Sequence, residues 1–187
     1  MSAGTSPESA DSGRPMSSRK RALILATAAI AACGAGAWGG HWWLTRGAVK
    51  GEEAKLLSAS FEALDGKTTP ISTWRGKTLI VNFWATWCGP CREEMPEFVK
   101  AQNEFAAKGL QFVGIAVDRR TPVERFAKEL AINYPILLGD AAWLDAVKTM
   151  GNPQGVLPFT LVISPKSEVM LRRVGKLKYS EIAAIFA

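Results

Sequence analysis

Two cysteines three positions apart, Cys88 and Cys91, enclose Gly89 and Pro90 between an apolar run, Thr78–Trp84, and a stretch with helical apolar spacing. At the start of a helix the free backbone N–H groups and the helix dipole stabilise a thiolate. Cys88 gains most from that position and is expected to be the exposed nucleophile, with a pKa below the free value of about 8.5. Cys91, one turn further in, is expected to attack a mixed disulfide between Cys88 and a substrate, releasing the reduced partner. Pro90 removes one N–H and presets φ, and Gly89 adds no side chain where a partner approaches. Half of a zinc site is the competing use of such a pair, but the only other Cys and His are Cys33 and His41, both in an upstream apolar segment. A purely structural disulfide gains little chain entropy from so short a loop.

The elements that must hold this pair follow from the surrounding pattern. Ser60–Leu64 alternates polar and apolar residues and runs into Asp65-Gly66, a strand entering a tight turn. Thr78–Trp84 is nearly continuously apolar, as expected of a central strand buried on both faces. Met95, Phe98, Val99, Gln102, Phe105 and Ala106 recur at three- and four-residue spacing, predicting a helix that stops at Lys108-Gly109 and is kinked at Pro96. Leu110–Val117 is the next buried strand. Thr121-Pro122 is expected to cap and open a helix to about Ala131, followed by a strand at Pro135–Leu138 and a helix over Ala141–Met150. Phe159–Ile163 and Glu168–Val174 flank Ser164–Ser167 as a hairpin, and a last helix spans Tyr179–Ala187. Strands alternating with helices and ending in a hairpin predict a three-layer α/β domain with a mixed sheet.

The chain of 187 residues has room for one such domain and an appendage. Its formal charge of +6 is concentrated near the N-terminus, where six basic residues outnumber Glu8 and Asp11 before position 51 and leave only +2 for the rest. The basic balance is therefore a topology signal, and no nucleic-acid partner is expected. Residues 1–18 read as a disordered cytoplasmic tail, 19–44 as an N-terminal membrane anchor or signal segment, 45–55 as a linker and 56–187 as the folded domain. Ala22–Leu44 carries no formal charge apart from His41 and follows Arg19-Lys20-Arg21. As a helix it spans roughly 34 Å, enough for a hydrocarbon core of about 30 Å. The basic cluster places the N-terminus in the cytoplasm, and Trp38, Trp42 and Trp43 suit the outer headgroup layer. Three fates stay open: a retained single-pass inner-membrane anchor, a signal peptide cut after Ala35-Gly36-Ala37, or a lipoprotein modified at Cys33. All three put the domain outside the cytoplasm, in the periplasm.

The stretch Phe83-Trp84-Ala85-Thr86-Trp87-Cys88-Gly89-Pro90-Cys91-Arg92-Glu93-Glu94-Met95-Pro96 resembles the active-site segment of the thioredoxin superfamily. With the preceding hairpin, the Thr121–Met150 insertion and the anchor, residues 56–187 look most like the TlpA/ResA group, with the DsbE/CcmG proteins as relatives. The resemblance implies a thioredoxin-like three-layer α/β/α fold with a mixed central sheet, an N-terminal β-hairpin extension and a central αβ insertion. It also implies a redox-active cysteine pair with no other cofactor and a cis Leu157-Pro158 bond facing the cysteines. The substrate-binding residues are then Trp87, Gly89, Pro90, Leu157, Pro158 and Phe159. Asn82 stands where thioredoxins carry a buried proton-relaying aspartate. Glu94, one turn beyond Cys91, matches a glutamate of the ResA-like relatives and is expected to tune the thiols and relay the proton as a third catalytic residue; a solvated carboxylate like Glu93 and Glu97 is the alternative. The implied function is reduction of disulfides in envelope proteins, in cytochrome c maturation or oxidase copper-site assembly, with electrons from a membrane donor of the DsbD/CcdA type. A disulfide-donating oxidant of the same fold remains an alternative, as does a non-catalytic copper or assembly-factor binding module, although the domain has no histidine after His41.

Overall fold

A computed structural model describes residues 51–186. The segments expected as a cytoplasmic tail and as an anchor or signal segment with Cys33 and His41, and most of the expected linker, lie outside the described residues. Among the described residues no helix is long and apolar enough to cross a membrane.

The organising element is β3 (Thr78–Trp84), whose last six residues are all buried. It pairs in parallel with β4 (Leu110–Ala116) and antiparallel with β6 (Phe159–Ile163). With β1 (Ser60–Ala63), β2 (Thr68–Pro70), β5 (Ile136–Leu138) and β7 (Val169–Val174) these form a seven-stranded mixed sheet in the order β2-β1-β5-β4-β3-β6-β7. The β1–β2 pair is the expected N-terminal hairpin, turned at Gly66 with φ 82°.

Side-chain alternation along β3 builds the two outer layers. Leu79, Val81 and Phe83 face Leu56 of α1 (Glu52–Ser58), together with Val147 of α4 (Ala142–Thr149) and the adjoining Met150. Ile80 faces Phe98, Ala101 and Phe105 of α2 (Gly89–Phe105) and Ile182 of α5 (Tyr179–Ala183). Trp84 packs with Met95 of α2 and with Val123 and Phe126 of α3 (Arg120–Glu129). The layers are therefore α/β/α, as expected, and both cysteines sit on the α2 face.

Several boundaries differ from the sequence expectation for local reasons. Residues 52–55 of the expected linker belong to α1, because buried Glu53 accepts from Arg172 of β7 at 2.8 Å and Leu56 enters the core. Helix α3 opens at Arg120, not Thr121, which puts Thr121 and Pro122 inside the first turn. The Arg120 guanidinium donates to the Leu64 and Ala63 carbonyls at 2.6 and 3.2 Å, tying this helix start to the hairpin. Helix α2 runs continuously through Pro96; the Arg92 carbonyl, which loses its usual donor, belongs to an exposed residue where water can replace it.

Phe98 joins α2 to the sheet by stacking on Phe112 with ring centroids 4.8 Å apart, and it is fully buried. Phe98→Ala is expected to lower stability by about 3–5 kcal/mol. The check is a urea titration, in which the midpoint falls while the slope stays constant.

Candidate active site

The strand-to-helix junction after β3 presents the cysteine pair. Cys88 is the N-cap of α2, and Pro90 occupies its first turn. Cys88 and Cys91 form a disulfide, and Cys88 Sγ accepts from the Cys91 backbone N–H at 3.3 Å. Such a donor, aimed at sulfur, also stabilises a thiolate when the pair is reduced. Cys88 is the more accessible sulfur, as expected, yet it is only 6% exposed against 0% for Cys91. That corrects the expectation of an exposed Cys88: the neighbouring Trp84, Met95 and Phe126 cluster encloses it. What stands out into solvent is the rim, with Trp87 at 68% exposure and with Gly89 and Pro90 exposed beside it.

The loop carrying Cys88 is tied to the end of β4. Asp118 Oδ2 accepts from the Thr86 N–H at 3.0 Å and from the Thr86 hydroxyl, and its Oδ1 accepts from the Arg119 N–H at 2.7 Å. Partial burial pushes the Asp118 carboxyl up, but these hydrogen bonds outweigh it and hold the group below its ordinary range. Beside Gly89, a groove of about 370 Å³ is lined by Arg92, Glu93, Phe126 and Leu130, with the Arg92 guanidinium 5.2 Å from the Phe126 ring centroid.

The central sheet carries buried polar residues on its α2 face. Register places Gly114 of β4 and Thr160 of β6 on either side of Asn82. Asn82 Nδ2 donates to Thr160 Oγ1 and to Glu94 Oε1, each at 2.9 Å, while Glu94 Oε2 accepts from the Leu177 N–H at 2.9 Å. Glu94 is thus 2% exposed, whereas Glu93 and Glu97 face solvent, so the solvated alternative does not describe it. Burial pushes its carboxyl up to about 7, against the opposing pull of the Leu177 and Asn82 hydrogen bonds. Asn82 Oδ1, Trp84 Nε1 and the Tyr134 hydroxyl are buried without a partner among the described residues. Burial, reinforced by the Glu94 charge, also raises the Tyr134 hydroxyl. Gly114 leaves space there: a Cβ on it would stand 3.0 Å from Trp84 Nε1.

The Leu157-Pro158 peptide is cis. Because Phe159 pairs with Phe83, antiparallel register sets Pro158 beside Trp84, at the end of β3 that leads to Cys88. The Pro158 carbonyl accepts from the Gly175 N–H at 2.9 Å, and the partly buried Leu157 packs against the cluster holding both cysteines. Phe159 is a correction to the expected substrate-binding set: its ring is fully buried and its backbone lies between β3 and β7, so it supports the site from the core. Thr160, Leu177, Asp118 and Asn152, which binds the Val156 backbone, were not singled out from the sequence. Only Asn152 has a local signal, the turn-forming order Asn152-Pro153-Gln154-Gly155.

Comparison with known proteins agrees with this geometry. The Redoxin family model matches residues 50–185. The thiol-disulfide oxidoreductase ResA of Bacillus subtilis is 32% identical over 123 residues, covering 65% of this chain and 66% of that protein, so the match spans just under two thirds of the relative's length. The thioredoxin-like protein YneN of the same organism is 32% identical over 127 residues, covering 66% of this chain and 71% of YneN. Among solved structures, a thiol:disulfide interchange protein of the thioredoxin family from Chlorobium tepidum superposes with a TM-score of 0.61 at 34% identity, covering 68% of this chain and 90% of that one.

The raised Glu94 pKa sets a direction for stability against pH. The folded chain holds the Glu94 proton up to about 7, whereas the unfolded chain releases it near 4.5. The stabilisation is complete below the unfolded value and is lost as pH rises through the folded one. Glu94→Gln is expected to remove this fall, on the order of 3 kcal/mol between pH 4 and pH 8. Urea midpoints of the two oxidised proteins across that range should converge at acid pH relative to their separation at pH 8; parallel curves refute the assignment.

Proposed function

The chain belongs to the Redoxin family, and from that premise we propose that it is a thiol-disulfide oxidoreductase that reduces disulfides of envelope proteins. The observation that carries the reading is Cys88 at the N-cap of α2, bonded through sulfur to Cys91, with Glu94 buried on the same helix. In the reduced protein the Cys88 thiolate attacks a substrate disulfide, forming one S–S bond to the substrate and expelling its other sulfur as a thiolate. Cys91, once deprotonated, attacks Cys88 Sγ, closes the Cys88–Cys91 disulfide and expels the second substrate sulfur. Two electrons pass to the substrate, whose two sulfurs leave as thiols after protonation.

Glu94 is the group assigned to the Cys91 proton. Its carboxyl, near 7, is balanced between accepting and returning a proton at neutral pH, and it lies three residues along the helix from Cys91. Asn82 cannot perform that transfer; it orients Glu94 instead. Trp87, Gly89 and Pro90 form the approach surface, and the cis Pro158 segment offers backbone to the substrate chain.

The extracytoplasmic location rests on the basic cluster Arg19–Arg21 followed by the uncharged Ala22–Leu44 segment. In an oxidising compartment a dithiol needs replenishing, so a membrane electron donor of the DsbD/CcdA type is part of the proposal. Cytochrome c maturation or oxidase copper-site assembly supplies the substrates in this reading, by the likeness to ResA-type proteins.

Cys91→Ser in the full chain is expected to accumulate mixed disulfides through Cys88, and Cys88→Ser to form none; non-reducing electrophoresis distinguishes them. The reduction potential of the full chain, equilibrated against thiol-disulfide buffers, is expected below about −220 mV. A value near −120 mV overturns the reductase direction in favour of disulfide donation. Glu94→Gln is expected to shift the thiol pKa values and flatten the pH-rate profile around neutrality; unaltered thiol titration and exchange rates remove Glu94 from the mechanism.

A further inference from the structure

The groove between α2 and α3, beside the cysteine pair, holds a cation that the mechanism above does not use. Arg92 follows Cys88 by one helical turn, and its N–H donates to the Cys88 carbonyl at 3.2 Å, so the two share one side of α2. The Arg92 guanidinium carbon stands 5.2 Å from the Phe126 ring centroid, and Phe126 is only 7% exposed. Resting against a nearly buried ring restrains the long side chain, while the N–H fork of the guanidinium stays available to a carboxylate. Gly89 opens the groove toward the cysteines, because a Cβ there would meet nothing within 4 Å.

The surrounding charges leave Arg92 without a counter-ion. Glu93, the carboxylate that also lines the groove, is bound to Lys176 at 2.7 Å. Arg120 is spent on Glu62 and Glu124 at 2.8 and 3.2 Å. Among the described residues Arg92 has no ion pair and no side-chain hydrogen bond, and exposed Glu129 at the end of α3 does not reach it. Arg119, the N-cap of α3, is exposed and likewise unpaired among the described residues. A rim of unspent cations around a neutralised acid favours an anionic occupant.

We propose that Arg92 is a specificity-determining residue that binds an acidic side chain of the substrate, so that the preferred disulfides lie in extended segments carrying Asp or Glu about two residues from the reacting cysteine. This rests on the redox reading above and adds its substrate class. The spacing follows from reach: one helical turn from Cys88 to Arg92 is roughly 6 Å, and an extended chain advances about 3.3 Å per residue. A carboxylate there meets a fork already held in place by Phe126, which lowers the ordering cost of the contact. A lysine at the same place meets like charge, so the groove rejects as well as selects. Small uncharged disulfides gain nothing from it.

The first test uses the pre-reduced wild-type full chain and ten-residue, alanine-rich peptides whose single cysteine carries an uncharged 2-pyridyl disulfide. One Glu, Gln or Lys is moved through the positions flanking that cysteine. At one position, about two residues away, Glu is expected to lower the half-saturating concentration roughly fivefold against Gln, and Lys to raise it. The preference should shrink as salt is added. Equal response at all positions, or none, overturns the proposal. The second test repeats the series with Arg92→Gln, expected to abolish the preference, and Arg92→Glu, expected to invert it in favour of Lys. Rates with neutral 2,2′-dithiodipyridine, measured on each variant, separate any change in thiol reactivity, which affects all peptides alike. Arg119→Gln and Lys128→Gln are expected to keep the positional preference. If they reduce it as far as Arg92→Gln does, a diffuse field and not a site at Arg92 is responsible, and the proposal is overturned. If the wild-type protein exchanges with neither peptide nor dithiodipyridine, the redox reading falls and this proposal with it; exchange with both but without charge preference overturns the proposal alone.

Discussion

The Glu94 carboxylate, buried between the Asn82 amide and the Leu177 N–H, is the constraint around which the site is arranged. It joins α2, β3 and the segment before α5 at one point, and Asn82 extends the link to Thr160 of β6. A carboxylate taken out of water is costly unless hydrogen-bonded, and here two donors offset only part of that cost. The remainder appears as a proton affinity near neutrality, on the same helix as the cysteine pair. A well-packed apolar residue would make a simpler core at this place, so the buried Asn82–Thr160 pair beside Gly114 is a departure from an apolar interior.

The two faces of β3 divide the work. Leu79, Val81 and Phe83 join an apolar cluster with Leu56, Val147 and Met150, which anchors the strand leading to Cys88. The opposite face changes character along its length, from Ile80 against Phe98 to Asn82 against Glu94 and then to Trp84 beside the cysteines. The strand that leads to the cysteine loop therefore has an apolar face and a mixed one. The Asp118 carboxylate, by gathering the Thr86 and Arg119 donors, fixes the loop laterally as well.

Much of this was legible in the sequence wherever one physical signal dominated. The apolar runs Thr78–Trp84 and Phe159–Ile163 became strands with those bounds, since strands buried on both faces announce themselves by composition. The cysteine pair and its helix were readable from spacing, and Pro158 and Glu94 from the likeness to the thioredoxin superfamily. What escaped depends on distant partners. The start of α3 moves to Arg120 where the hairpin carbonyls sit, α1 forms where Arg172 meets Glu53, and Cys88 is enclosed by residues from two helices. The resemblance sets Phe159 among the substrate-binding residues beside Pro158, but strand alternation carries its ring into the core. Asn152 looks like an ordinary loop residue until the chain folds it against Val156.

The Glu94–Leu177 hydrogen bond spans 83 residues of chain, and this separation has a bearing on biosynthesis. Both cysteines, α2 and the central parallel strands are made well before Leu177, so a nascent chain can assemble the thiol-bearing helix while its carboxylate still lacks that donor. Thr160 and the Pro158 segment arrive late as well. The polar surroundings of Glu94 are therefore complete only when the C-terminal segment docks. A truncated or stalled product displays the cysteine motif without its finished environment, which separates possession of the motif from competence to use it.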